Sequence, residues 1–397
     1  MNNTYFYIEP YAHINYDNDR VVIYETLSGN SVCLLFQDEY QKSFVKRLLN
    51  DQNRSVCFNE YPYDSVREFV EKCQCLYVGD IVLNHPPFVM PMRPKFMTNL
   101  DTLKSLEEML YRVIPWVSNL ILYTDTETNG IHRNKPKGVF VQTLFPVFGF
   151  DGSLDKNKLI EQLGRIRFTM LKTISMVGSK FDSELLQFLS TEYPNASFVF
   201  YTNVQHCVFS DFYNSTNSIK NKQLNLWVTP YGIDIDKAKR ILECCEELDI
   251  ACRLLCLVEG KNDAMDIENA GASAFVIPFY SGDNLSFFEQ NVYLTEQDIL
   301  SQKLTQQDIL NNMSVNSNFF GELYFMPNNM IYANPNFAPI GKLGDDWHQI
   351  LYNLLDSCWF KIRNMKPCSD CAFQYLCPPP SNYEFAIGKP NLCTVKP

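Results

Sequence analysis

Leu224-Asn225-Leu226-Trp227-Val228, a short spacer, Ile235–Leu248 and then Ala251–Val258 read as strand, amphipathic helix and strand. Two short β-rich runs joined through a helix are the pattern of parallel strands, because an antiparallel pair needs only a tight turn. The same alternation continues in both directions. Upstream lie strands at Leu120–Tyr123, Thr173–Val177 and Ser197–Tyr201, with helical patterns at Leu103–Ile114, Lys158–Phe168 and Ser183–Leu189 and a β-rich segment at Val139–Phe145. Downstream come a short helix at Ala264–Asn269 and a strand at Ala274–Ile277. This repetition predicts an α/β protein, a partial or full (β/α) barrel rather than a four-strand doubly wound sheet.

The flanks read differently. Tyr5–Ile8, Ala12–Tyr16, Arg20–Tyr24 and Ser31–Leu35 are short β-prone runs split by the turn signals Asp17-Asn18-Asp19 and Ser28-Gly29-Asn30. Helical faces follow in Tyr40–Leu49 (Phe44, Val45, Leu48, Leu49) and Tyr63–Cys73 (Val66, Phe69, Val70, Cys73), with Asp64 as the expected N-cap, and Cys75–Leu83 reads as closing strand. His85-Pro86-Pro87 and Pro91–Pro94 interrupt regular structure and mark a connector. Residues 295–320 look polar and irregular. Beyond them, Gly321–Met326, the turn Pro327-Asn328-Asn329 and Met330–Ala333 predict a β-hairpin, followed by a helix over Trp347–Cys358. Three units result: an α+β module over 1–90, a barrel over 97–300 and a small domain over 315–397.

Composition bounds the function. The chain has 397 residues, 46% hydrophobic and 14% aromatic, ample for a packed core. No basic amino-terminal region leads into an apolar run, and no long uninterrupted apolar stretch occurs, so neither a signal peptide nor a membrane span is expected. With 14 cysteines and no export signal, the expected compartment is the cytoplasm. A net charge of −11 argues against nucleic acid as a partner.

The chemistry-bearing signal is at the carboxyl end. Cys368, Cys371, Cys377 and Cys393 are spaced C-x2-C-x5-C-x15-C in a Pro-rich loop. Four thiolates suit a tetrahedral Zn²⁺ or a [4Fe–4S] cluster. Four unrelated thiols, two of them core, are the plainer alternative. Cys358, on an apolar helix, reads as core, as do Cys252 and Cys256, which share a strand face with Leu254. Asp370 and Glu384 are placed to tune a metal from outside its ligands. His13, His85, His132, His206 and His348 show no paired spacing with another ligand, and no P-loop, G-x-S-x-G or G-x-G-x-x-G occurs, so no catalytic residue is assigned. Thr202-Asn203, Thr229 and Glu259, at expected strand ends, are the weak signals for a barrel enzyme of non-radical chemistry.

The segment Gly321–Met326, Pro327-Asn328-Asn329, Met330–Ala333, Ile340–Leu343 and C-x2-C-x5-C resembles the SPASM domain, which follows the radical-SAM barrel in peptide-modifying maturases. It departs from the full pattern: Ser381 stands where a further cysteine is usual, and the early cysteine followed by a glycine and another cysteine is missing ahead of the helix. The C-x3-C-x2-C that holds the S-adenosylmethionine cluster is found at no cysteine of the chain. Together with Tyr5–Ile8, His13-Ile14, Ile23–Gly29 and Tyr375–Glu384, this resembles the pseudo-radical-SAM proteins (GG-Bacteroidales system) of ribosomal peptide natural-product maturation, over essentially the whole chain.

The resemblance implies a non-catalytic accessory protein that binds a precursor peptide leader, a radical-SAM maturase partner, or both. It implies one auxiliary [4Fe–4S] cluster on Cys368, Cys371, Cys377 and Cys393, with Zn the alternative, and no use of S-adenosylmethionine. Residues 10–83 also resemble a peptide recognition element, in which a leader pairs with an exposed strand. By that likeness the edge is Val32–Leu35, with Val32 and Leu34 in contact, and the wall is Val66, Phe69, Val70 and Cys73. The same four side chains could equally pack the module's own core. A zinc-stabilised scaffold protein is the remaining alternative.

Overall fold

The computed structural model describes residues 3–51, 54–85, 113–124, 152–228, 234–263 and 274–395. The helix expected over Leu103–Ile114 falls almost wholly outside these residues, as do the segments Val139–Phe145 and Ala264–Asn269, His132, Thr229 and most of the Pro-rich connector.

The amino-terminal module comprises β1 (Thr4–Ile8), β2 (Ala12–Tyr16), β3 (Arg20–Glu25), β4 (Ser31–Leu35), α1 (Glu39–Asn50), β5 (Ser55–Cys57), α2 (Tyr63–Cys75) and β6 (Gly79–Leu83). Its strands form two antiparallel sheets, β5-β1-β6 and β2-β3-β4. Between them and the helices lies a core of Phe6, Ile8, Ile14, Val21, Ile23, Phe44, Leu48 and Phe69. The Phe44 ring is its hub, with Phe6, Tyr61 and Phe69 at 5.8, 5.1 and 6.0 Å. Asp38 caps α1 by accepting from the Gln41 N–H. At α2 the expected cap is displaced. Pro62 occupies the cap position in extended conformation without a side-chain bond, and Asp64 lies inside the first turn. There its charge still meets the positive end of the helix dipole. Gly79 is required where β6 crosses β1, since a Cβ would sit 2.7 Å from the Tyr7 carbonyl oxygen.

The centre of the chain is an α/β layer structure. Strands β7 (Asn119–Tyr123), β8 (Thr173–Val177), β9 (Ser197–Asn203), β10 (Lys222–Val228), β11 (Ala251–Val258) and β12 (Ala274–Pro278) are all parallel. Helices α3 (Lys156–Gly164), α4 (Ser183–Glu192), α5 (Phe209–Thr216) and α6 (Ile235–Glu247) make the crossovers. Helix α5 was not legible as a helix in the sequence. Residues Leu120, Leu122, Ile174, Met176, Phe200, Leu226 and Leu254 alternate onto the helical side and form the main core. The opposite face carries two smaller clusters, one around Tyr123 and Tyr324, the other around Trp227 and Leu257. Cys256 and Leu254 are buried in the helical layer, with Cys252 packed at its margin.

The carboxyl-terminal hairpin extends this sheet rather than standing in a separate domain. Strand β13 (Glu322–Phe325) lies parallel to β7, with Tyr324 opposite Ile121, and β14 (Met330–Tyr332) and β15 (Gly341–Lys342) add antiparallel. Among the described residues the order is β12-β11-β10-β9-β8-β7-β13-β14-β15, with β12 and β15 at the ends. This mixed α/β layer with a mostly parallel nine-strand sheet is consistent with a partial α/β barrel.

Residues 295–320, expected to be irregular, hold two short helices after α7 (Leu285–Asn291): α8 (Glu296–Leu300) and α9 (Gln306–Asn312). Each opens on a capping box, Thr295 with Asp298 and Thr305 with Asp308. Reciprocal capping satisfies two otherwise orphaned N–H groups per helix and offsets a polar composition. Helix α10 (Trp347–Leu355) and α11 (Asn382–Ile387) complete the chain. No helix among the described residues is long and apolar enough to cross a membrane.

Candidate metal centre

The carboxyl-terminal loop is held by what lies between its cysteines. Ala372, Phe373 and Leu376 are buried against Val22 and Tyr24 of β3 and Ile299 and Ile309 of α8 and α9. Strand β3 is therefore covered on both faces. Val21 and Ile23 point into the module's core, and Val22 and Tyr24 into the seam with the cysteine loop. Polar contacts fasten the same seam. The Asn15 amide donates to the Cys371 carbonyl oxygen at 3.1 Å, Arg20 pairs with Glu296 at 2.9 Å, and its guanidinium lies 5.1 Å from the Phe373 ring. The Tyr24 hydroxyl donates to the Gln302 carbonyl and accepts from the Leu304 N–H, at 2.7 and 2.6 Å.

The same anchors carry the thiols, with Cys377 in the apolar cluster and Cys371 packed against it. Cys368 begins a 3₁₀ turn that ends at Cys371, and the Cys377 N–H bonds the Phe373 carbonyl. Cys393 arrives from the chain end, aligned beside Leu294 by bonds from the Leu294 and Thr394 N–H groups. All four cysteines are free thiols and line one small cavity of about 20 Å³, together with Arg363, Gln374 and Asn391. That is room for about one water-sized centre. As placed, no three His, Cys, Asp or Glu side chains among the described residues are arranged to hold a metal ion.

The donor chemistry around the cavity nevertheless suits thiolate. Arg363 directs Nη1 at Cys368 Sγ (3.8 Å), and Asn391 directs its amide at Cys393 Sγ (3.1 Å). Both are N–H donors to sulfur, the arrangement that tunes thiolate-bound metals. Burial pushes the Cys371 and Cys377 thiols up to about 11 and about 12, and the Arg363 charge opposes it at Cys377. Arg363 is itself buried and paired with buried Glu384 at 2.7 Å. Gln374 holds the Arg363 carbonyl at 2.6 Å. Sequence reading missed Arg363, Gln374 and Asn391, which no spacing rule distinguishes from other loop polar residues.

The remaining assignments fall as follows. Glu384 is beside the cavity, but Asp370 is exposed and pairs with Lys366. Ser381 is the N-cap of α11 and forms a capping box with Glu384. Cys358 is 1% exposed in the main core, its thiol pushed up to about 12 by burial. The expected peptide wall is corrected: Val66, Phe69, Val70 and Cys73 are buried in the module's own core and offer no surface. Of the strand residues, Leu34 is also buried, Val32 is half-buried and Leu35 is exposed. Strand β4 does lie at its sheet's edge, with β3 as its partner.

At the carboxyl ends of the parallel strands, the described candidates are engaged in local turns or buried. Asn203 accepts from the Gln205 N–H, and the Glu259 backbone joins a turn with Asp263 and Asn284. Thr202 is buried. Glu322, at the start of β13, is pushed up to about 7 by burial, against donors from Tyr324 and Asn119. A roomier groove of about 760 Å³, lined by Arg165, Arg167, Trp347 and His348, opens on the outer helical layer away from the thiols.

No protein-family model and no curated protein matches the chain. Among solved structures it is similar to an enolase from Bradyrhizobium, complexed with magnesium and mandelic acid. That likeness has 11% identity over 70% of this chain and 73% of that one, with a TM-score of 0.21. A likeness so distant carries no argument about fold or chemistry.

Proposed function

We propose that this chain is a non-catalytic accessory protein in the maturation of a ribosomally made peptide. It binds a precursor leader, a radical-SAM maturase, or both, and carries one auxiliary [4Fe–4S] cluster on Cys368, Cys371, Cys377 and Cys393. The observation that supports it best is the convergence of four free thiols on one cavity, with Arg363 and Asn391 donating to two of the sulfurs. When bound, such a cluster supplies structure, docking or electron transfer. The chain's own residues fix the loop through Ala372, Phe373 and Leu376 and present N–H groups to sulfur. Loading re-aims the thiols from their present placement, which no single ion fits.

Peptide capture on this reading is β-augmentation at β4. Its open edge offers backbone groups, and Val32 and Leu35 are the accessible side chains beside them. The module sits directly on the metal loop through β3, so a peptide at β4 lies one strand from that seam.

Anaerobic purification with iron, sulfide and zinc analysis tests the tail. Iron and sulfide near four per chain support a cluster, whereas stoichiometric zinc in a colourless protein replaces it by the zinc-scaffold reading. Titration with a precursor leader, with and without the maturase, tests the module, and no binding in either case overturns the accessory role. The barrel-enzyme reading is carried by Thr202-Asn203, Thr229 and Glu259; the group that burial shifts most towards neutral pH is instead Glu322, pushed up to about 7. It stands at the amino end of β13, next to the amino end of β7, whereas barrel enzymes assemble their sites at carboxyl ends.

A further inference from the structure

A second pocket lies in the seam between the amino-terminal module and α9. Ala12 and Ile14 of β2 take the module's inner face, which leaves His13 and Asn15 on the seam side. The pocket has a volume of about 230 Å³, and its walls include Tyr11, His13, Arg54, Gln306, Met313 and Tyr375. None of its described lining residues is acidic, in a chain of net charge −11.

The two basic groups here are under-partnered. Arg54 donates Nη1 to the Ala12 carbonyl at 3.1 Å and more loosely to the Glu9 carbonyl at 3.4 Å. Among the described residues it forms no ion pair, and burial pulls its guanidinium down with nothing to offset it. A desolvated cation without a counter-charge is costly to keep. Beside it, His13 Nε2 is closed off from solvent without a hydrogen-bond partner, and the ring meets Tyr375 edge-on at 6.4 Å. Burial and the Arg54 charge hold the imidazole at about 4, so it is neutral. Three other polar side chains are committed: Gln306 donates to the Pro10 carbonyl, Thr26 to the Tyr11 carbonyl and Asn15 to the Cys371 carbonyl.

We propose that this pocket is a carboxylate site, in which Arg54 takes the charge, and His13, Met313 and Tyr375 wall a short apolar stem. The volume suits one carboxylate-bearing group, the carboxyl terminus of a peptide or an Asp or Glu side chain. It stands without the peptide-maturation reading and without a metal.

Calorimetric titration of the full chain tests it, using N-acetylglycine as a terminus, the α-amide of N-acetylaspartate as a side chain, and N-acetylglycinamide as the neutral control. The expected result is saturable binding of one carboxylate, weaker by roughly tenfold or more for the neutral amide and in Arg54→Gln, as when one partner of a buried charged contact is removed. His13→Phe, which keeps the cation and the wall, leaves it nearly unchanged. Which carboxylate binds distinguishes a chain end from an acidic side chain. Equal binding of acid and amide, or no saturation with either acid, overturns the site. That comparison uses the unmodified protein and so does not depend on Arg54→Gln folding. If carboxylates bind while a precursor leader does not, the pocket stands and the accessory role falls.

Discussion

Arg363 joins two buried partners: its Nη2 meets Glu384 Oε1 at 2.7 Å while its Nη1 faces Cys368 Sγ at 3.8 Å. The ion-pair side chains are only 8% and 4% exposed. Glu384 also closes the capping box of α11 with Ser381. One carboxylate thus neutralises the cation beside the thiols and fixes the helix that leads back to Cys393.

Glu384→Gln therefore leaves Arg363 buried and uncompensated. Loss of one partner of a buried pair costs about 3–5 kcal/mol, and denaturant unfolding should show a drop of that order. Asp370→Asn, at the exposed Lys366 pair, should leave stability nearly unchanged. Equal effects from the two substitutions would disprove the asymmetry.

Cysteine substitutions separate ligand from core. On the proposed cluster, Cys377→Ser should abolish or sharply lower bound metal after anaerobic reconstitution, since it would remove one of four donors. Cys358→Ser should keep the metal content and instead destabilise by about 1–3 kcal/mol, the cost of placing a hydroxyl in the apolar core. Metal analysis and thermal melting of both variants read the two effects independently.

Tyr24→Phe removes a hydroxyl that both donates to Gln302 and accepts from Leu304 across the seam. The Leu304 N–H and Gln302 carbonyl lose that partner, at about 1–3 kcal/mol. Hydrogen exchange should rise at Gln302–Leu304 and along β3, while the parallel strands stay protected. A uniform rise over the whole chain would mean the hydroxyl does not fasten the seam.

What the sequence revealed follows where the determinants are local. Thr173–Val177 and Leu224–Val228 read clearly because strands covered on both faces need apolar residues at both parities. Val21–Tyr24 is apolar at four successive positions, and the structure shows why: module and cysteine loop each take one face. Helices α8 and α9 were hidden by polar composition, although Thr295 with Asp298 and Thr305 with Asp308 carried their signal at cap spacing. The join of β13 to β7 depends on Tyr324 meeting Ile121 across most of the barrel sequence, a pairing no local pattern encodes. The face Val66, Phe69, Val70 and Cys73 was legible as apolar. Whether it served a peptide or the core depended on what packs there, which only the fold decides.

Glu322 makes stability depend on pH in a direction that can be worked out. Its carboxyl is raised from 4.5 to about 7, so between those values the folded chain holds a proton that the unfolded chain releases. Its contribution is full below about 4.5 and is lost as pH rises through about 7. His13 has the opposite sign. Lowered from 6.5 to about 4, it stays neutral when folded, and stability is lost as pH falls through that window. The two slopes oppose each other in weakly acidic solution. Glu322→Gln keeps a neutral acceptor for the Tyr324 hydroxyl, now 2.5 Å away, but cannot ionise. It should match the parent near pH 5 and exceed it at pH 8 by about 1–2 kcal/mol, discounted because the side chain is only partly buried. Unfolding curves at the two pH values decide it, and a variant less stable than the parent at pH 8 would show that the ionised carboxylate is already compensated.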